Sequence, residues 1–314
     1  MKGISRAEHL ARASAILGDR ARPEVPIGPL TTYRVGGAAA LFVEAASDED
    51  LRLVARAVAG TGVDVLVLGR GSNLLVADAG FPGIVVTLGE PYAGFDIEGT
   101  TARAGAATAL PVLARRTATA GLRGLEWAVG VPGSVGGAVH MNAGGHGSDV
   151  AASLVEVRVV DLASGEDGRV PAAALDLGYR RSALSPSAAV VEARFGLVRG
   201  DANAALAEVS DIVRWRRQHQ PGGQNAGSVF TNPKGDAAGR LVEAAGCRGW
   251  RQGSATVSAK HANFFQADAG GSADDVLRLV GAVRRRVAEA SGVDLRPELR
   301  LVGFPVELVR AASG

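Results

Sequence analysis

Cysteine is almost missing from this chain: Cys247 stands alone among 314 residues. A single thiol excludes an intrachain disulfide and any metal site built on several cysteines. Lysine is nearly as scarce, since only Lys2, Lys234 and Lys260 occur among 34 basic residues. The arginine bias reads as composition rather than function, but it makes Lys260 a departure from pattern. Net charge is small as well, +2 from 34 basic and 32 acidic residues, which argues against a nucleic-acid-binding protein. No apolar run approaches the ~18 residues of a membrane span. Arginine and acid stud the N-terminal stretch, which does not read as a signal peptide. The expected location is the cytoplasm. No fixed-period repeat or low-complexity linker appears.

What is abundant is glycine, concentrated at 124–147, where it fills eight of 24 positions and Glu126 is the one full charge. Average usage is roughly 7%. Glycine admits positive φ and lacks Cβ, so backbone can approach a ligand closely. Pro132 fixes one φ beside Gly133 and leaves Ser134 in a tight turn. Such a stretch offers N–H groups and one hydroxyl to something flat or anionic, and a phosphate-bearing cofactor fits. A plain glycine-rich connection between strands is the competing reading.

At 47% hydrophobic, the chain can bury a large core divided over two or three domains. Ser5 and Glu8 form a capping box ahead of a helix that Gly18 closes. Thr31, Thr32, Tyr33 and Arg34 make a polar turn that could touch a phosphate. Residues 39–45 read as a strand and Ser47 opens a second helix. The buried strand 63–68 runs into Gly69-Arg70-Gly71-Ser72-Asn73. A dinucleotide fingerprint needs a third glycine and a following helix. Leu74 stands in that glycine's place and the next residues look like strand, so a Rossmann domain is not expected. A tight turn holding the N–H groups of 70–73 near a pyrophosphate remains. Strands are expected at 84–88, 100–104, 154–161 and 188–197, and helices at 108–120, 204–217 and 272–291. Arg214, Arg216 and Arg217 close the second of these helices, where cations suit the dipole. The ordered pattern ends with a strand over 297–303 that presents Glu298. Two loop arginines, Arg180 and Arg181, are either solvated surface or a fork for a carboxylate.

Taken together, Gly69-Arg70-Gly71-Ser72-Asn73, Val131-Pro132-Gly133-Ser134-Val135-Gly136-Gly137 and Met141-Asn142-Ala143-Gly144 resemble the UDP-N-acetylenolpyruvoylglucosamine reductase family. So do Tyr179-Arg180, Gly227-Ser228-Val229-Phe230-Thr231-Asn232-Pro233, Lys260-His261-Ala262-Asn263-Phe264 and Pro297-Glu298-Leu299-Arg300, in family order from about residue 30 to 303. The resemblance implies an α+β protein with a vanillyl-alcohol-oxidase-type FAD-binding fold of two subdomains, expected at 1–80 and 81–203, and a third α+β substrate domain at 204–314. It implies FAD as cofactor, NADPH as reductant and a UDP-sugar substrate in peptidoglycan precursor synthesis. A monomer or weak homo-oligomer is expected, with neither nucleic acid nor metal as a partner.

The resemblance also assigns roles. Hydride adds to the β-carbon of the enolpyruvyl group, and charge spreads into the carboxylate as an enolate. Arg180 and Glu298 are expected to stabilise it, and Ser228 to give a proton to the α-carbon. Expected cofactor contacts are Tyr33, Arg34, Gly69, Arg70, Gly71, Ser72, Asn73, Val131, Pro132, Gly133, Ser134, Gly136, Gly137 and Arg216. Expected substrate contacts are Tyr179, Asn232, Lys260, His261 and Asn263. Two departures stand out. His219 takes the place of a lysine frequent in the family, and Ala143-Gly144-Gly145-His146-Gly147 replaces a tyrosine-bearing version. The 48 positions from Arg180 to Ser228 match the subclass without an extra tyrosine loop. The rival functions are a carbohydrate oxidase carrying FAD covalently on His140 or His146, and a nucleotide-sugar binding protein without redox chemistry.

Overall fold

A computed structural model describes residues 5–313; Lys2 lies outside them. The chain forms two compact units and passes between them repeatedly. Unit 1 runs to Pro23 and adds Ala40–Arg70 and Gly83–Arg216. Unit 2 comprises Glu24–Ala39, Gly71–Pro82 and the chain from Arg217 onward.

Unit 1 holds two hydrophobic cores. In the first, helix α1 (Arg6–Leu17) starts at the expected capping box, Ser5 accepting from the Glu8 N–H and Glu8 from the Ser5 N–H. Helix α2 (Asp48–Thr61) is capped by Ser47 and ends at Gly62 in the left-handed region. Its Leu51, Val54 and Val58 pack with Leu17, Val43, Ile84 and Val86. A four-stranded sheet of order 22–26, 38–45, 81–88, 65–67 supplies the strand side chains. Val65–Val67 runs parallel to 84–86. The second core lies on a five-stranded antiparallel sheet of order 167–171, 154–161, 188–196, 101–105, 95–98. Helix α3 (Leu110–Thr119) covers it with Leu110, Leu113 and Ala114, all fully buried. Helix α4 (Val135–His140) occupies part of the glycine-rich stretch. Helix α5 (Ala202–His219) contributes Ala205, Val209 and Ile212 to the same core.

Unit 2 has one core. Helix α6 (Ala238–Ala244) and helix α7 (Ala273–Ser291) enclose Phe230, Phe265, Val257 and Leu75. A short antiparallel sheet of Arg251–Gln252, Ala255–Val257 and Phe265–Ala267 lies beside α7. Leu74–Val76 pairs parallel with Arg300–Val302. Helix α8 (Val306–Ser313) follows. The sequence pattern ends at Gly303 and leaves this last helix out: it is eight residues long and follows Pro305. The strand over 297–303 is shorter than expected, and Glu298 precedes it.

Candidate active site

Three short polar turns carry the expected cofactor residues. The first is Gly69–Asn73. Among the described residues, none of the N–H groups of Gly69, Arg70, Gly71, Ser72 and Asn73 makes an internal hydrogen bond. Gly71 has φ +58°, and a Cβ there would stand 2.6 Å from the Thr31 backbone. Consecutive free N–H groups around a left-handed residue form an anion-binding concavity. A Cβ on Gly69 would meet Ser134 Oγ at 2.7 Å, so the first and second glycine turns touch within unit 1.

The second turn, Val131–Gly137, departs from the expected open loop. Ser134 caps α4 by accepting from the Gly137 N–H at 3.4 Å. The N–H groups of Val135 and Gly136 donate to the carbonyls of Thr108 and Ala106, both at 2.9 Å. Gly136 is glycine because a Cβ would lie 2.8 Å from Ala106 Cβ. The glycines at 136 and 137 therefore serve packing and the helix cap, and their N–H groups are already used. Among the described residues, only the Gly133 and Ser134 N–H groups of 133–137 lack an internal partner.

In the third turn, Thr31 Oγ1 donates to the Gly28 carbonyl and accepts from the Arg34 N–H. The Thr32 N–H donates to the Gly71 carbonyl at 3.2 Å, which fixes this turn against the first. Arg34 is exposed with φ +55°. Tyr33, expected among the cofactor contacts, keeps its side chain out of reach of a ligand. Its ring is 0% exposed in the unit 2 core and its hydroxyl has no hydrogen-bond partner. Burial pushes the phenol pKa far above its ordinary value. Arg216 lies half-buried on α5, against Gly130, where an added Cβ would stand 3.3 Å from Arg216 Cδ. Burial lowers its pKa, and no carboxylate pairs with it among the described residues. It also depresses the pKa of His146, after burial itself. The His146 ring meets Trp215 edge-on at 5.1 Å.

Arg180 sits in unit 1 at φ +58°. Its Nη2 donates to the Gly144 carbonyl at 3.2 Å, and its guanidinium lies 5.1 Å from the Tyr179 ring centroid. Tyr179 is 61% exposed, which leaves its ring free to meet a ligand. Asn142, overlooked as a site residue, braces this loop. Its Nδ2 donates to the Gly178 carbonyl at 3.0 Å and to Asp149, and its Oδ1 accepts from the Ala151 N–H. The signal in the sequence was an asparagine inside a glycine-rich run, a residue type that tolerates positive φ; here φ is +39°.

Unit 2 brings Ser228 and Glu298 onto neighbouring extended segments. The Glu298 N–H donates to the Val229 carbonyl at 2.7 Å, and Phe230 bridges Pro297. Ser228 in turn bridges Phe264, and Gly227 before it needs its φ of +77°. Pro297, Leu299 and Leu301 line an open cleft of about 520 Å³ with Asp294, Arg296 and Val309. The expected substrate contacts separate into two groups. Asn263 is 3% exposed, accepts from the Phe230 N–H at 2.9 Å and donates to the Phe230 carbonyl at 2.8 Å, the bonding of a structural support. Asn232, Lys260 and His261 stay accessible in part. Asn232 accepts from the Ala238 N–H, Lys260 Nζ donates to the Arg217 carbonyl at 2.6 Å, and His261 accepts from the Asn263 N–H.

Comparison with known proteins gives a consistent answer. Residues 39–170 match a model of an FAD binding domain. Residues 218–302 match the C-terminal domain of UDP-N-acetylenolpyruvoylglucosamine reductase. A reductase of that name from Rubrobacter xylanophilus is 40% identical over 91% of this chain and 96% of its own length. Another, from Parvibaculum lavamentivorans, is 39% identical over 95% of this chain and 98% of its own. The crystal structure of the Thermus caldophilus reductase superposes with TM-score 0.79 at 36% identity, covering 90% of this chain and 99% of that one.

Proposed function

The chain belongs to the UDP-N-acetylenolpyruvoylglucosamine reductase family, and from that premise we propose which of its residues carry the reaction. It is an FAD-dependent oxidoreductase that uses NADPH to reduce the enolpyruvyl ether of UDP-N-acetylglucosamine to UDP-N-acetylmuramate, a step of peptidoglycan precursor synthesis. The α+β architecture and the FAD-binding domain agree with the fold expected from the sequence. Among the described residues no helix is long and apolar enough to cross a membrane, and we assign the enzyme to the cytoplasm. The chain's three hydrophobic cores support a division into two FAD subdomains and a substrate domain.

The residues present fit FAD. The unengaged N–H groups of Gly69–Asn73, and those of Gly133 and Ser134 beside Gly69, suit the oxygens of a pyrophosphate. Arg34, in the turn tied to Gly71, and Arg216, against Gly130, are the cations assigned to the cofactor, and desolvated Arg216 gains most from an anion. Bound FAD supplies hydride exchange between NADPH and the substrate's β-carbon. Arg180 holds the enolpyruvyl carboxylate in its planar fork, and its charge stabilises the enolate that follows. Glu298, as the acid beside Ser228 in unit 2, donates a hydrogen bond to the developing enolate. Ser228 gives the Oγ proton to the α-carbon and recovers one from water. A serine is a weak acid, but an enolate carbon is a strong base, so placement governs the transfer.

The observation that carries this reading is the hydrogen bond from the Glu298 N–H to the Val229 carbonyl. It sets the acid one residue from the proton donor across two segments far apart in sequence. The test is anaerobic reduction by NADPH, then addition of the enolpyruvyl substrate while flavin absorbance is followed. Bleaching by NADPH and recovery on substrate are expected, with flavin released on denaturation. Flavin that bleaches but does not recover would refute the assigned substrate.

A further inference from the structure

Asn73 has been counted with the turn that faces an anion, yet its side chain does something else. Its Nδ2 donates to the Glu298 main-chain carbonyl at 3.1 Å. Its own carbonyl accepts from the Arg300 N–H at 3.0 Å, the first bond of the parallel pairing between 74–76 and 300–302. The peptide on each side of Glu298 is thereby tied down. Its N–H goes to Val229, beside Ser228, and its carbonyl goes to Asn73, at the end of the turn 69–73. A residue held at both peptide groups has lost most of its freedom to shift along the segment.

We propose that Asn73 is a positioning residue for Glu298, and that it couples occupation of the 69–73 turn to placement of the acid. The proposal rests on the reading of Glu298 as the acid given above. An anion seated on the N–H groups of this turn orders Asn73. The ordered amide then holds the Glu298 carbonyl, and through the Glu298–Val229 bond the same ladder reaches Ser228. Linkage makes the coupling reciprocal, so loosening Asn73 weakens both anion binding and the setting of the acid. Asparagine suits this place because its amide donates from Nδ2 while its backbone N–H stays available to the turn. The segment is anchored at its other end as well, where Asp78 accepts from Ser272 and from the N–H groups of Ala273 and Asp274 at the start of α7. Slack introduced at Asn73 therefore shows up at Glu298 rather than spreading along the segment.

The test uses FAD-loaded full-length protein and a double-mutant cycle. Asn73→Leu keeps the side-chain size and removes the donor. Reoxidation of reduced flavin by substrate should slow on the order of tenfold, the scale of one hydrogen bond in a positioned site. Reduction by NADPH should change less than about twofold in the same scale. Titration of apoprotein with FAD, read by flavin fluorescence, should show affinity weakened several-fold. The deciding measurement is the same substitution in a Glu298→Gln background. If Asn73 acts through Glu298, it should there add little to the slowing. Full multiplication of the two effects overturns the proposal, as does Asn73→Leu with unchanged reoxidation. A Glu298→Gln enzyme reoxidised at the wild-type rate overturns the assignment of the acid, and the proposal with it. Should Asn73→Leu fail to fold, Asn73→Asp, of the same shape with no donor, takes its place at saturating FAD.

Discussion

Asn263 offers the sharpest test of whether a residue in a ligand-like motif touches ligand or holds structure. Its amide meets Phe230 as one peptide meets another, with Oδ1 accepting at 2.9 Å and Nδ2 donating at 2.8 Å. Both residues are buried, at 3% and 1% exposure, so water cannot substitute freely. Asn263→Ala strands one buried N–H and one buried carbonyl on Phe230. Each unsatisfied group costs about 1–3 kcal/mol. The bond from the Val229 N–H to the Asn263 main-chain carbonyl survives, and some relaxation will follow, so a loss of about 3 kcal/mol is expected. With roughly 2–4 °C per kcal/mol for a domain of this size, the melting temperature should fall by roughly 6–12 °C. Asn263→Asp should fall comparably, because a carboxylate then faces the Phe230 carbonyl. The assay is thermal unfolding of FAD-loaded protein, followed by circular dichroism and by flavin release. If melting stays within a couple of degrees of wild type while KM for the UDP-sugar rises, the burial argument is wrong and Asn263 contacts substrate.

Further outcomes follow from the same geometry. Ser228→Ala should be reduced by NADPH normally but reoxidised by substrate on the order of 10²–10⁴ times more slowly; equal slowing of both halves in stopped flow would make Ser228 a structural residue. Arg180→Lys keeps charge but loses the fork that also reaches the Gly144 carbonyl, so reoxidation should slow well over tenfold, and wild-type turnover would remove Arg180 from the mechanism. Gly71→Ala places a Cβ 2.6 Å from the Thr31 backbone at φ +58°, so purified protein should carry much less FAD, which the ratio of flavin to protein absorbance checks. Burial holds the His261 pKa below its ordinary value. Its neutral form is thus favoured by folding, and the associated stability is intact above about pH 6.5 and lost as pH falls through the folded value. The acid-side decline in melting temperature should flatten in His261→Gln, and an unchanged slope would place the sensitivity elsewhere.

Much of the fold was legible because local chemistry and tertiary demand agreed. The Ser5–Glu8 box, the Ser47 cap and the long amphipathic run of α7 each specify a helix without help from distant residues. The strand pairing was not legible in the same way. Leu74–Val76 meets Arg300–Val302 across more than two hundred positions, and nothing in either triplet names the other. The glycine-rich stretch misled in a different way. Gly136 and Gly137 look like open backbone, but Gly136 is small to let α4 approach Ala106, and Gly137 donates into the Ser134 cap. Glycine for close packing and glycine for ligand approach have one spelling. α8 was missed because it is only eight residues long and follows Pro305, too few turns for its amphipathic pattern to stand out before it packs on α7.

The same ambiguity explains why the motif residues divide as they do. A ligand contact has to expose its polar atoms, whereas a brace has to bury them against backbone. Short polar side chains in a motif satisfy either demand, and the sequence does not distinguish them. Tyr33 and Asn263 fall on the buried side, and Asn142 was overlooked although it braces three separate backbone or side-chain groups around Arg180. Lys260, Tyr179 and Ser72 keep accessible surface. The distinction has a kinetic consequence. NADPH and the UDP-sugar present different groups to the protein, so losing a contact should affect the two half-reactions unequally in binding. Losing a brace shifts catalytic groups for whichever step uses them and alters stability besides. Asn73 lies between the two classes, with its N–H open to the turn and its amide committed to Glu298. A substitution there should therefore change FAD affinity and substrate-driven reoxidation together, a pairing that neither a pure contact nor a pure brace produces.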